Sequence, residues 1–128
     1  MINEKNYFII KLGVYPFDIM VSIDESDEII SKRLIRYGVT LDEMSEILNM
    51  PDTARGRCAM LPSNQTVIRL KTQPKKYDMM SVISHEVFHA VAFIMDRIGV
   101  KLEVSISDEA YAYCIGFLTT EIYKKLNL

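Results

Sequence analysis

Within the stretch "SVISHEVFHAVAFIMDRIG", Ser81–Gly99, three ionisable side chains fall inside five residues: His85, Glu86 and His89. The two histidines are the only ones in the chain. On a helix their i, i+4 spacing puts both imidazoles on one face, one turn apart. Two ring nitrogens so placed can bind one tetrahedral zinc ion at ~2.0–2.1 Å. Glu86, about 100° round the helix from His85, borders such an ion without being obliged to bind it. A carboxylate there can take a proton from a zinc-bound water and later give it to a leaving amine. The competing reading is a pair of hydrogen-bonded histidines, in the core or partly exposed. Val82, Ile83, Val87, Phe88, Ala90, Val91, Ala92, Phe93, Ile94 and Met95 surround the three. They make the helix apolar almost all round and predict a buried central element. Burying two histidines and a glutamate together calls for compensation, which a metal and a water supply.

A zinc hydrolase uses three protein ligands and one open position. With no third histidine, the third ligand is a carboxylate or a cysteine. Asp96 lies two turns beyond His89, too far for the same ion, and Glu103 points outward by alternation with Leu102 and Val104. Asp108 and Glu109 open the last helix, in "SISDEAYAY". Packed antiparallel on the histidine helix, it presents either acid to the metal. Glu109 is favoured, with Asp108 or Ser107 orienting a ligating histidine. The alternative for both acids is stabilisation of a helix N-terminus. Tyr111 and Tyr113 are candidates for an oxyanion donor, against a core or rim role. Arg55 and Arg57 could bind a substrate carboxylate, or simply belong to a solvated loop.

The positioning elements read as follows. Tyr7–Leu12 and Phe17–Ile23 are two strands punctuated by Gly13 and Pro16. "DESDEIISKRLIRYG" has acids first and bases last, the order a helix dipole favours, with Gly38 as its stop. "TLDEMSEILNMP" predicts a shorter helix, opened by the Thr40–Glu43 capping-box spacing and closed by Pro51. "RCAMLPSNQTVIRLK" is two strands around Pro62–Ser63–Asn64, the second half-buried by its alternation. The histidine helix starts near Asp78 as N-cap, because Lys75 and Lys76 oppose its dipole, and ends at Gly99. "VKLEVSI" is a short extended segment, and a helix from about Asp108 to Lys125 follows Ser107 as N-cap. The irregular order favours an α+β fold over repeating βαβ units.

Bulk properties set the frame. A chain of 128 residues, 49% hydrophobic, suits one compact domain spanning 1–128. A net charge of −2 gives no basic excess for nucleic acid or an anionic membrane. Cys58 and Cys114 lack CxxC spacing and read as small buried residues in a reducing compartment. The first residues lack the pattern of a signal peptide, and no window reaches the ~20 apolar residues of a membrane helix. The expectation is a soluble, cytoplasmic protein.

"VISHEVFHAV" resembles the active-site helix of zincin metallopeptidases. A carboxylate twenty positions after His89 resembles the gluzincin subgroup, and the chain departs from metzincins in having Ala92 where their glycine turn stands. The resemblance covers residues 66 to about 118. It implies a single zinc ion held by His85, His89 and Glu109, with Glu86 as general base. It also implies that the strand before the active helix is a sheet edge onto which a peptide pairs. Thr66–Lys71, with Val67, Arg69 and Lys71, is in the right order for that; a plain hairpin strand with solvated or edge-protecting charges is the equal alternative. Size and order are similar to minimal single-domain zincins of the ImmA/IrrE-like or SprT-like kind. The first functional expectation is therefore a zinc peptidase acting on a peptide or protein, its cleft shallow or completed by a protein partner. The second is a zincin-scaffold binding or regulatory protein with a structural or vestigial metal site. A third is an interaction protein without metal.

Overall fold

A computed structural model describes residues 6–13, 15–73 and 75–127, apart from the side chains of Lys76, Asp78 and Met79. The reading of the first five residues against a signal peptide lies outside the described residues. The fold is α+β, a four-stranded mixed sheet with three helices.

Strands β1 (Tyr7–Lys11) and β2 (Asp18–Ile23) form the antiparallel pair that their β-branched and aromatic residues predict. Helix α1 (Asp27–Arg36) follows, its N-cap Ser26 accepting from the Ile29 amide at 3.3 Å. Asp27 and Glu28 stand in the first turn, Arg33 and Arg36 in the last, and Gly38 takes a left-handed φ of 79° just beyond it. Strands β3 (Gly56–Met60) and β4 (Gln65–Leu70) form an antiparallel hairpin about the predicted turn. Helix α2 (Lys76–Arg97) carries the histidines, and α3 (Asp108–Leu126) closes the chain.

The sheet order is β1-β2-β4-β3, with β2 and β4 parallel. Both faces of the sheet are covered. Ile19, Val21 and Ile23 of β2 and Ile68 and Leu70 of β4 pack with Ile83, Val87, Val91 and Ile94 of α2 and Cys114, Leu118 and Ile122 of α3. Met20, Ala59 and Val67 pack on the opposite face with Ile30 and Leu34 of α1 and with Met44 and Ile47. The two cysteines are free, Cys114 buried and Cys58 partly so.

Several expectations are corrected. β4 is not an edge and not half-buried: it lies between β2 and β3, so Val67 and Arg69 are buried. Arg69 spends its guanidinium on the carbonyls of Ile47 (2.8 Å) and Glu25 (3.1 Å) and on Asp27 (2.7 Å). Lys71 approaches Asp52 at 3.6 Å. None of the three lies on an open edge; the edge beside α2 is β3.

Residues 40–50 form successive turns instead of a helix. The Glu43 amide does bond to Thr40 Oγ1 at 3.3 Å, but the backbone bonds that follow mix i+3 and i+4 partners, and Asn49 turns left-handed at φ 58°. Helix α2 begins at Lys76 with Lys75 as N-cap, which places Asp78 inside the helix. That helix is one-sided, not buried all round: His85, Phe88 and His89 lie on its exposed face. "VKLEVSI" forms no strand. Leu102, Val104 and Ile106 are exposed, and Ser105 has a φ of 67°.

Candidate metal centre

The i, i+4 spacing does on α2 what local geometry requires. The Nε2 atoms of His85 and His89 stand 3.2 Å apart, their ring centroids 4.8 Å apart. Two vertices of a tetrahedron with ~2.0–2.1 Å bonds lie about 3.3 Å apart. The same distance suits a hydrogen bond between the rings, with one nitrogen donating to the other. His89 is held between aromatic neighbours, with Phe88 at 6.2 Å and Phe93 at 6.4 Å between centroids.

Glu86 lies beside the two histidines with its stem against Gly56 at the start of β3. It is only 4% exposed, and its Oε1 lies 3.8 Å from His85 Nε2. Its Oε2 is buried without a hydrogen-bond partner among the described residues. Burial pushes the Glu86 carboxyl above its ordinary range, against the opposing pull of His85, His89 and Arg57. Burial also raises the Cys58 thiol, with Glu86 adding to the effect. A carboxylate held close to two imidazoles, partly dry and with a lone pair to spare, is placed to accept a proton.

Two adjoining clefts meet at these residues. One of about 420 Å³ runs past Gly56, Ser81, Val82, His85 and Glu86. The other, about 280 Å³, is bordered by Glu46, Arg57, Cys58, His85, His89 and Phe93. Together they form an open groove between the exposed face of α2 and the free edge of β3.

The remaining expected site residues stand elsewhere. Glu109 is exposed in the first turn of α3 beside Asp108, where both acids suit the helix N-terminus. Among the described residues, no three His, Cys, Asp or Glu side chains are grouped to hold a metal ion. Ser107 accepts from the Glu103 amide at 2.9 Å and donates to the Lys101 carbonyl, so its hydroxyl ties down the α2–α3 connection. Tyr111 donates to the Val100 carbonyl at 2.6 Å and is buried in the core. Tyr113 is 76% exposed and lines a separate apolar groove with Leu12, Tyr15 and Phe117. Neither tyrosine reaches the histidines' groove as the clefts define it.

The groove adds residues that sequence reasoning did not place: Gly56, Cys58 and Glu46. Nothing in their types or spacing signals a site, because the sheet order brings Gly56 and Cys58 to α2 and the turns of residues 40–50 bring Glu46 to the groove. Comparison with known proteins finds no matching family model, curated protein or solved structure.

Proposed function

We propose that the chain is a zinc-dependent peptidase with a zincin-like active helix. The observation that carries this reading is the pair of Nε2 atoms 3.2 Å apart with the buried carboxylate of Glu86 beside them. The pair fits two positions of a tetrahedral site, and zinc held there supplies Lewis acidity and an activated nucleophile at neutral pH. Glu86 accepts the proton of the attacking water and returns it to the leaving nitrogen. A peptide lies along the free edge of β3, whose backbone groups position it without reading its side chains. Phe93, on the groove wall, offers an apolar contact.

Neither Glu109 nor Glu46 is grouped with the histidines among the described residues, but Glu46 borders the same groove as both histidines and Glu109 does not line it. Glu46 is exposed, so its side chain can change rotamer toward them. We assign it the third position.

A second reading is a binding protein on the same scaffold with no turnover; among the described residues, no three ligands are grouped at the histidines. Calorimetric zinc titration and a peptide-library assay separate the two. Under the peptidase reading, His85→Ala weakens zinc binding at least ~100-fold, Glu46→Gln weakens it ~10-fold or more, and Glu109→Gln leaves it unchanged. Glu86→Gln retains zinc but lowers kcat by ~10²–10⁴. Zinc bound by wild type, with wild type and Glu86→Gln equally inert on the library, would establish the binding-protein reading instead.

A further inference from the structure

Gly56 opens β3 opposite Leu70 of β4, and its backbone is not in the left-handed region. Its φ therefore does not call for glycine. Its surroundings do. A Cβ built at Gly56 would stand 3.0 Å from Glu86 Cγ, 3.2 Å from Val82 Cγ1 and 3.3 Å from the Arg69 carbonyl oxygen. Of these neighbours, the backbone carbonyl belongs to a central strand and cannot give way easily. Val82 is β-branched and held in the helix by its own turn. The Glu86 side chain is the one with freedom to move. The aliphatic stem of Glu86 thus packs so close to Gly56 that a methyl there would crowd it.

We infer that Gly56 is a positioning residue: the absence of its side chain holds Glu86 retracted beside the histidine pair, as a proton acceptor instead of a ligand. This rests on the peptidase reading for its catalytic consequence, but the steric claim stands without it. A methyl at position 56 displaces Glu86 toward the groove, and neither His85 nor His89 is among its three nearest neighbours. Misplacement of a reacting group by about 1 Å costs ~100-fold in rate.

The test is a double-mutant cycle of Gly56→Ala and Glu86→Ala, read by thermal unfolding of the metal-free protein. Calorimetric zinc binding and peptide kinetics accompany it. Gly56→Ala should lower Tm by about 4–10 °C in the wild-type background. It should cost less than half of that when residue 86 is alanine, because the obstructing stem is gone. Zinc binding through the histidines should persist within about threefold, with kcat down ~100-fold and KM little changed. An equal Tm loss in both backgrounds would overturn the inference, since the methyl would then be colliding with Val82 or the Arg69 carbonyl. Wild-type kcat in Gly56→Ala would overturn it too. Should Gly56→Ala fail to fold, a folded Gly56→Ala/Glu86→Ala protein supports the inference, and an unfolded one overturns it. If wild type shows no zinc binding or turnover, the peptidase reading fails while the Tm cycle still decides the placement of Glu86.

Discussion

Glu86 couples its own protonation to the stability of the fold, and the sign of that coupling is fixed by its burial. In the folded chain its pKa lies above the ordinary 4.5, chiefly through desolvation, with His85, His89 and Arg57 only partly offsetting it. Between those two values the folded state holds a proton that the unfolded state has released. Stability therefore falls as pH rises through that window. Glu86→Gln removes the ionisation and keeps the shape. In chelator-treated protein it should be more stable than wild type at neutral pH, and the advantage should disappear below pH ~4. Urea unfolding of both proteins across pH checks this. A Glu86→Gln protein that is less stable at neutral pH would mean that the carboxylate is held by a favourable charge partner. The same residue shows why composition misled at this scale. Phe88 and Phe93 are apolar yet 46% and 38% exposed, so the apolar character of "HEVFHAVAF" was no measure of burial, whereas Glu86, charged, is buried. Arg69 makes the matching point on the other sheet face: a charge that reads as solvated is buried because two carbonyls and Asp27 are waiting for it.

Among the elements, α2 starts poorly and the rest of it compensates. Its N-cap, Lys75, has extended backbone angles (φ −115°, ψ 112°) but no side-chain cap bond, and its charge opposes the helix dipole. Lys75→Asp supplies an acceptor for the first-turn amides and reverses that charge. About 1 kcal/mol of added stability is expected, a rise in Tm of about 3–6 °C, measurable by calorimetry. An unchanged Tm would mean that the first turn is frayed in solution. Elements were legible where their signals are local. The order of acids and bases and Gly38 marked α1, and the Pro62–Asn64 turn marked the β3–β4 hairpin. Thr40 and Glu43 misled because a capping contact opens a turn as well as a helix, and burial of Met44 and Ile47 against the sheet outweighs helical propensity there. The position of β4 was hidden for another reason: alternation tells which residues share a face, not which strands are neighbours. The parallel pairing of β2 with β4 makes β3 the edge, and with it comes the groove. The histidine pair was legible because i, i+4 is a property of one helix. The place of Glu109 was not, because it depends on how α3 packs against α2.

Across the whole molecule, three layers divide the work. The turns after α1 and helix α1 cover one sheet face, α2 and α3 the other, and the groove opens where the α2 layer overhangs the β3 edge. No helix among the described residues is long and apolar enough to cross a membrane. The α2–α3 connection contributes little to either core. Leu102, Val104 and Ile106 are 52%, 82% and 79% exposed, and the connection is fastened by polar bonds instead. Tyr111 holds the Val100 carbonyl, and Ser107 bridges the Glu103 amide to the Lys101 carbonyl. If those bonds set the conformation, its apolar side chains are dispensable for folding. The double variant Val104→Ser/Ile106→Ser should keep Tm within about 2 °C of wild type, the effect of ordinary surface changes, and should bind less of a hydrophobic dye. Tyr111→Phe deletes one hydroxyl and leaves a carbonyl short of its donor, so it should cost about 1 kcal/mol, or about 3–6 °C. Thermal melts of the two variants side by side give the comparison. A large loss in the serine pair with none in Tyr111→Phe would show that apolar contact, not hydrogen bonding, seats α3 on α2.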